Sequence, residues 1–205
     1  MAYDKEFFKR YEAYLEEPTV RRNHDLALEF FDQTAFDDKG EYHTSRVVDL
    51  GCGIGEFSEH GYWEKYVGVD RENRSVGGED FLAGDYTEPG FFAKLPFVPN
   101  AFVSLFSIEA CYPAARRYEL YEQFFRENPE LKRGLSAGFF YESARRQETV
   151  SETGEIVSYQ TIEDISFHRS PVFDETRIIM RTPSTMFERH GRRDVVEVWK
   201  ILTRK

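Results

Sequence analysis

The chain has 205 residues, 40% hydrophobic and 31% charged, a globular balance at a length that suits one domain and leaves no room for a large second one. Its formal net charge of -10, with basic residues scattered rather than gathered in a stripe, argues against a protein that grips nucleic acid or an anionic membrane. Two cysteines, Cys52 and Cys111, allow at most one disulfide and no zinc framework, and no apolar run approaches a membrane span, so the reducing cytoplasm is the expected compartment.

The chain opens on the polar stretch Met1-Ala2-Tyr3-Asp4-Lys5-Glu6, which lacks the basic-then-apolar order of a secretory signal. Residues 4–16 set Phe7, Phe8, Tyr11, Tyr14 and Leu15 at helical spacing, and Pro18 stops that helix. A second helix is expected from near Thr19, carrying Leu26, Leu28, Phe30 and Phe31, with a loop at Asp37-Asp38-Lys39-Gly40. From Ser45 onward short apolar runs alternate with helical stretches, which predicts an α/β fold with a mostly parallel sheet. The runs are Arg46 to Leu50, Tyr66 to Asp70, Phe81 to Ala83, Ala101 to Phe106 and Leu135 to Tyr141; between the last two, Pro113 to Arg126 reads as a helix with Tyr118, Tyr121, Phe124 and Phe125 inward. After Ser143 the period becomes two. Residues 149–151 and 155–159 flank Thr153-Gly154 as a hairpin, and Arg177 to Met180 and Val195 to Thr203 read as antiparallel closing strands. Residues 1–40 are thus an N-terminal helical cap, 45–142 a core, and 143–205 a hairpin with closing strands of one domain. Arg145, Arg146, Arg189, Arg192 and Arg193 are either one basic cluster or, the favoured reading, solvated side chains near element ends. The five histidines include no pair at i, i+4, so no metal site is expected.

The informative stretch is Val47-Val48-Asp49-Leu50-Gly51-Cys52-Gly53-Ile54-Gly55-Glu56-Phe57, a β-branched strand running into a loop with glycine at alternate positions and then a helix start. Glycine there removes a Cβ where a ligand must approach the backbone or where positive φ is wanted, and the helix start offers free amides to an anion. Such a loop serves either a nicotinamide dinucleotide or an adenosyl amino acid. The dinucleotide fingerprint wants its third glycine at position 56, where Glu56 would repel a pyrophosphate. The next strand, Tyr66-Val67-Gly68-Val69-Asp70, ends in an acid suited to gripping a ribose diol, and a third ends in Gly84-Asp85-Tyr86.

The alternating Gly51, Gly53 and Gly55, followed in order by Asp70 and Asp85, resemble motif I and its successors in the class I S-adenosylmethionine (SAM)-dependent methyltransferases, over about residues 45–142. The resemblance implies a three-layer sandwich around a seven-stranded sheet, with the last two strands forming an antiparallel edge. It implies methyl transfer from SAM, leaving S-adenosylhomocysteine (SAH). The cofactor would be held by Asp49, Gly51, Cys52, Gly53 and Gly55, by Asp70 and Arg71 at the ribose, and by Asp85 and Tyr86 at the adenine. Phe106, Ser107 and Glu109, at the fourth strand end, would lie nearest the reaction, with Glu109 the one candidate catalytic group. Two departures stand out: only Arg71 to Asp80, including Gly77-Gly78, joins the second and third strands, and Gly61 cuts short the helix after the loop.

Each assignment has a plainer alternative. Asp70 could cap a helix, Asp85 could shape a Gly-Asp turn, and Glu109 is as readily a solvated loop residue as a base. The Cys52 side chain reads as a small packing group, Cys111 as an inert thiol rather than a nucleophile, and Tyr11 and Tyr14 as core rings before a lid. Acidic charge, 19 Phe and 12 Tyr, and the absence of an Asn/Asp-Pro-Pro-Tyr tetrapeptide favour a small-molecule acceptor over nucleic acid. The hairpin near Thr153 and the first helix are the candidates to cover it. A SAM-binding sensor or scaffold that transfers nothing fits the same motifs.

Overall fold

A computed structural model describes residues 9, 12–35, 45–53, 55, 57–58, 63–71, 80–141, 149–150, 156–158, 169–180 and 195–205. Residues 12–15 are helical, and after a turn the chain enters helix α1 (Pro18–Gln33). Pro18 sits in the first turn of α1, where its missing N–H leaves no bond unmade, so it begins this helix as well as ending the one before. The buried residues Val20, His24, Ala27 and Phe31 recur every three or four positions as one stripe. Leu26 and Phe30 are 39% and 49% exposed, because each stands one residue, about 100°, off that stripe. At the C-terminal end the Thr34 hydroxyl and the Arg133 guanidinium both donate to the Phe31 carbonyl, at 2.6 and 2.7 Å, supplying donor and cation where the helix needs them.

Strands β1 (Ser45–Leu50), β2 (Trp63–Asp70), β3 (Phe81–Ala83), β4 (Ala101–Leu105) and β5 (Arg133–Tyr141) are mutually parallel. Between the last two lie a short helix α2 (Ser107–Cys111) and the longer α3 (Ala114–Glu127). A separate antiparallel pair, β6 (Thr149–Val150) and β7 (Ile156–Ser158), stands where the hairpin was expected. β8 (Phe173–Met180) and β9 (Val195–Arg204) complete a seven-stranded sheet of order β3-β2-β1-β4-β5-β9-β8, with β9 antiparallel to both neighbours. The expected α/β sheet with a closing antiparallel pair is therefore present, β8 starting before Arg177, and its C-terminal strand β9 lies within the sheet rather than at its rim.

Period-two alternation divides the core. Val48, Leu50 and Phe102 pack with Tyr118, Tyr121, Phe124 and Phe125 of α3, the face read from sequence. Val47, Val103, Leu135 and Trp199 pack on the opposite side with Val20, Ala27 and Phe31 of α1. β4 is buried at every residue, as a central parallel strand covered on both faces must be. Among the described residues no helix is long and apolar enough to cross a membrane. Phe7, Phe8, Tyr11, the loop at 37–40, Glu56, Gly61, the connection through Gly77-Gly78, the Thr153-Gly154 turn and the five arginines of the suggested basic cluster lie outside the described residues.

Candidate functional site

The strand order reverses between β1 and β4, and an open parallel sheet leaves its crevice at the carboxyl ends of the strands flanking such a reversal. The glycine loop occupies that position. Gly51, Gly53 and Gly55 have φ of 75°, 54° and 78°, a left-handed run that side chains with a Cβ rarely adopt. The loop is tied to β2: the Gly51 and Cys52 amides donate to the Val69 carbonyl at 2.7 and 3.1 Å. Cys52 is a packing residue, its sulfur lying 2.8 Å from where a Cβ on Gly68 would stand, and burial followed by the nearby Asp49 and Asp70 carboxylates pushes its thiol far up.

Asp70 turns toward this loop. One carboxylate oxygen accepts from the Gly53 amide at 3.1 Å and the other from the Arg71 amide at 2.6 Å. Asp49 is 2% exposed and accepts from the Tyr66 hydroxyl at 2.8 Å. Burial lifts its pKa from 3.8 to about 7, against the Tyr66 hydrogen bond and with some help from Asp70. Asp85 closes its own turn by accepting from the Thr87 amide and hydroxyl at 2.9 and 2.6 Å, and its other oxygen meets Arg71 at 3.2 Å. Burial opposes ionisation there, but the Thr87 hydrogen bonds and the Arg71 charge outweigh it and hold the acid below its ordinary range. The turn-forming alternative for Asp85 is thus realised, at the tip of β3 beside Arg71.

The end of β4 is sewn to the glycine loop. The Ser104 hydroxyl donates to the Leu50 carbonyl at 3.0 Å, and Ser107 and the Tyr86 hydroxyl are 2.8 Å apart. Between them Phe106 has φ 56°, the one positive-φ residue other than glycine among those described. Such strain costs of order 1–3 kcal/mol and collects at functional sites. Its amide donates to the Ala137 carbonyl at 2.8 Å, and its ring stacks on Phe139 with centroids 4.1 Å apart.

Glu109, the expected base or acceptor-binding group, faces the interior instead. It is 2% exposed, and both its oxygens accept from the Lys200 ammonium at 2.9 Å while Arg117 and Tyr121 also donate to it. Burial alone would raise its pKa, but Lys200 and then Arg117 bring it down to about 2. A carboxylate so ionised and so fully engaged is no base near neutral pH. It fixes α2, and through α2 the position of Ser107 and Phe106, under β5, where Gly138 leaves room that a Cβ would take from the Glu109 stem.

A further buried carboxylate lies outside the motifs singled out above. Glu197, 1% exposed, accepts from the Tyr14 hydroxyl and from the Trp199 indole N–H, the latter at 3.0 Å. Burial raises its pKa from 4.5 to about 7, with the Trp199 hydrogen bond opposing. The signal was present in Val195-Val196-Glu197-Val198-Trp199-Lys200: a strand apolar on both faces must be covered on both, and its two charged residues then need partners.

Neither the protein-family models nor the curated proteins include a match to this sequence. Solved structures do resemble it. The N-methyltransferase NodS of Bradyrhizobium japonicum WM9, determined with SAH, superposes at TM-score 0.56 and 12% identity, covering 93% of this chain and 90% of that one. The magnesium protoporphyrin IX methyltransferase ChlM of Synechocystis PCC 6803, with bound SAM, gives 0.55 at 14% identity over 97% and 91%. The plantazolicin methyltransferase BpumL, with SAH, gives 0.54 at 14% identity over 98% and 91%. The chain has the fold of the class I SAM-dependent methyltransferases.

Proposed function

We propose that the chain transfers a methyl group from SAM to a small-molecule acceptor. The observation that carries this reading is Asp70 reaching the Gly53 amide across a loop whose three glycines are left-handed, at the reversal of the sheet. The residues fit an adenosyl amino acid: the glycine backbone suits its amino-acid part, Asp70 keeps lone pairs for the ribose hydroxyls, and Asp85 and Tyr86 at the tip of β3 suit the base. Bound SAM supplies an activated methyl that passes to a nucleophilic atom of the acceptor and leaves SAH. The protein then orients the two molecules and keeps water out, with Ser107 and Phe106 fixing the floor where they meet.

A net charge of -10 supports a small acceptor over a polyanion, and the similar folds of proteins described as methyltransferases of magnesium protoporphyrin IX and of plantazolicin agree with it. Incubation with methyl-labelled SAM and a metabolite mixture tests the reading: label is expected in a small acceptor. Label bound but never passed on would replace the enzyme with a SAM-binding sensor or scaffold.

A further inference from the structure

Among the described residues two glutamates are buried, Glu109 on α2 and Glu197 on β9, and they are treated differently. Glu109 is neutralised by Lys200 and Arg117, whereas Glu197, among the described residues, has no Lys or Arg in ion-pair contact and only the neutral donors of Tyr14 and Trp199. Removing a carboxylate from water without a cation costs several kcal/mol. Apolar side chains at this position in β9 would pack without that cost.

Its location is the second observation. Glu197 pairs in register with Phe139 of β5, just past Ala137, whose carbonyl holds the strained Phe106 amide. Glu197 therefore stands toward the same end of the sheet as the crevice, two strands from β4 and on the α1 side. Rings enclose the place: Phe106 stacks on Phe139, Tyr14 meets Phe139 edge-on at 5.7 Å and Phe106 at 6.5 Å, and His24 lies 5.0 Å from Trp199. Phe106 thus belongs both to this box and, through Ser107, to the wall of the glycine loop.

We propose that Glu197, with the rings of Tyr14, Phe106, Phe139 and Trp199, is the subsite that receives an amino group of the acceptor, and that the Tyr14 hydroxyl holds its place until the acceptor arrives. This rests on the methyltransferase reading above. A carboxylate ringed by aromatic faces attracts an ammonium by charge and by cation–π contact, repels an acid, and gains nothing from a hydrocarbon. Tyr14 lies in the helical turn before Pro18, outside the sheet, so its phenol can give way to an N–H donor without disturbing a strand. Among the described residues, the titratable groups facing Glu197 are Tyr14 and, across Trp199, His24 of α1; its register partners Phe139 on β5 and Met180 on β8 are uncharged residues. With its pKa near 7, Glu197 is partly ionised at neutral pH and becomes a better amine receptor as pH rises.

The probe is 2-phenylethylamine, with 2-phenylethanol as its uncharged counterpart, both added to the SAH-saturated protein. Binding is followed by the fluorescence of Trp199 in a Trp63→Phe background. The amine is expected to saturate the signal, with affinity at least about tenfold weaker for the alcohol and for Glu197→Gln, while SAH affinity by calorimetry stays unchanged. Tyr14→Phe keeps the ring but removes the competing hydroxyl, and is expected to bind the amine more tightly. Equal affinity for amine and alcohol, an unaltered Glu197→Gln, weaker binding by Tyr14→Phe, or no saturable signal from the amine would each overturn the proposal. Absence of SAH binding to the unaltered protein would instead overturn the methyltransferase reading beneath it.

Discussion

The Ser107 side chain fills the space that a Cβ on Gly51 would need, its hydroxyl inside van der Waals contact of that position. This one contact joins the ends of β1 and β4, and so joins the glycine loop to the strand end where the methyl group is expected. Gly51 is thus constrained twice, by its φ of 75° and by its neighbour.

Gly51→Ala is accordingly expected to destabilise the protein by about 1–3 kcal/mol and to weaken SAH binding by about tenfold or more, read by thermal unfolding and calorimetry. A variant of unaltered affinity would mean that the loop does not meet the cofactor there.

Lys200→Met should destabilise the fold strongly, by about 3–5 kcal/mol in denaturant unfolding, because it strips one cation from a carboxylate that cannot reach water. With a pKa near 2, Glu109 contributes stability that is present above its unfolded pKa and lost as pH falls through the folded value, so the variant should lose stability at neutral pH.

Glu197 has the opposite sign. Its folded pKa of about 7 lies above the ordinary 4.5, so the folded state binds the extra proton, and the stability this gives is complete below pH 4.5 and fades as pH rises through 7. Asp49, also raised to about 7, adds to the same decline. The melting temperature should therefore fall between about pH 5 and 7.5, and Glu197→Gln should flatten that fall without abolishing it. An identical slope in the variant would refute the assignment.

Asp85→Ala should cost less cofactor affinity than Asp70→Ala, since Asp85 closes its own turn through Thr87 and pairs with Arg71, while Asp70 accepts from the Gly53 amide within the glycine loop itself. Paired calorimetric titrations with SAH give the order directly; a larger loss at Asp85 would place the principal grip on the adenine side.

What was legible in the sequence was short in range. The glycine loop, Asp70 and the inner face of α3 follow from spacings within one or two elements, and the alternation of apolar runs foretold the sheet. The buried face of α1 was not legible, because Leu26-Ala27-Leu28-Glu29-Phe30-Phe31 is apolar around most of the helix, so only the packing selects a face. Glu109 was misjudged for a different reason. Its neutralising lysine is 91 residues away, and the Tyr14 partner of Glu197 is 183 away, so neither pairing exists until β9 inserts beside β5. Positions of this kind announce only that a charge sits in an apolar strand.

The most direct measurement is calorimetric titration of SAH into the unaltered protein and into Asp70→Ala, with NAD as a control. Saturable SAH binding at one site, weakened about tenfold or more by the substitution and not reproduced by NAD, is the expected result. No SAH binding, or binding indifferent to Asp70, would contradict it.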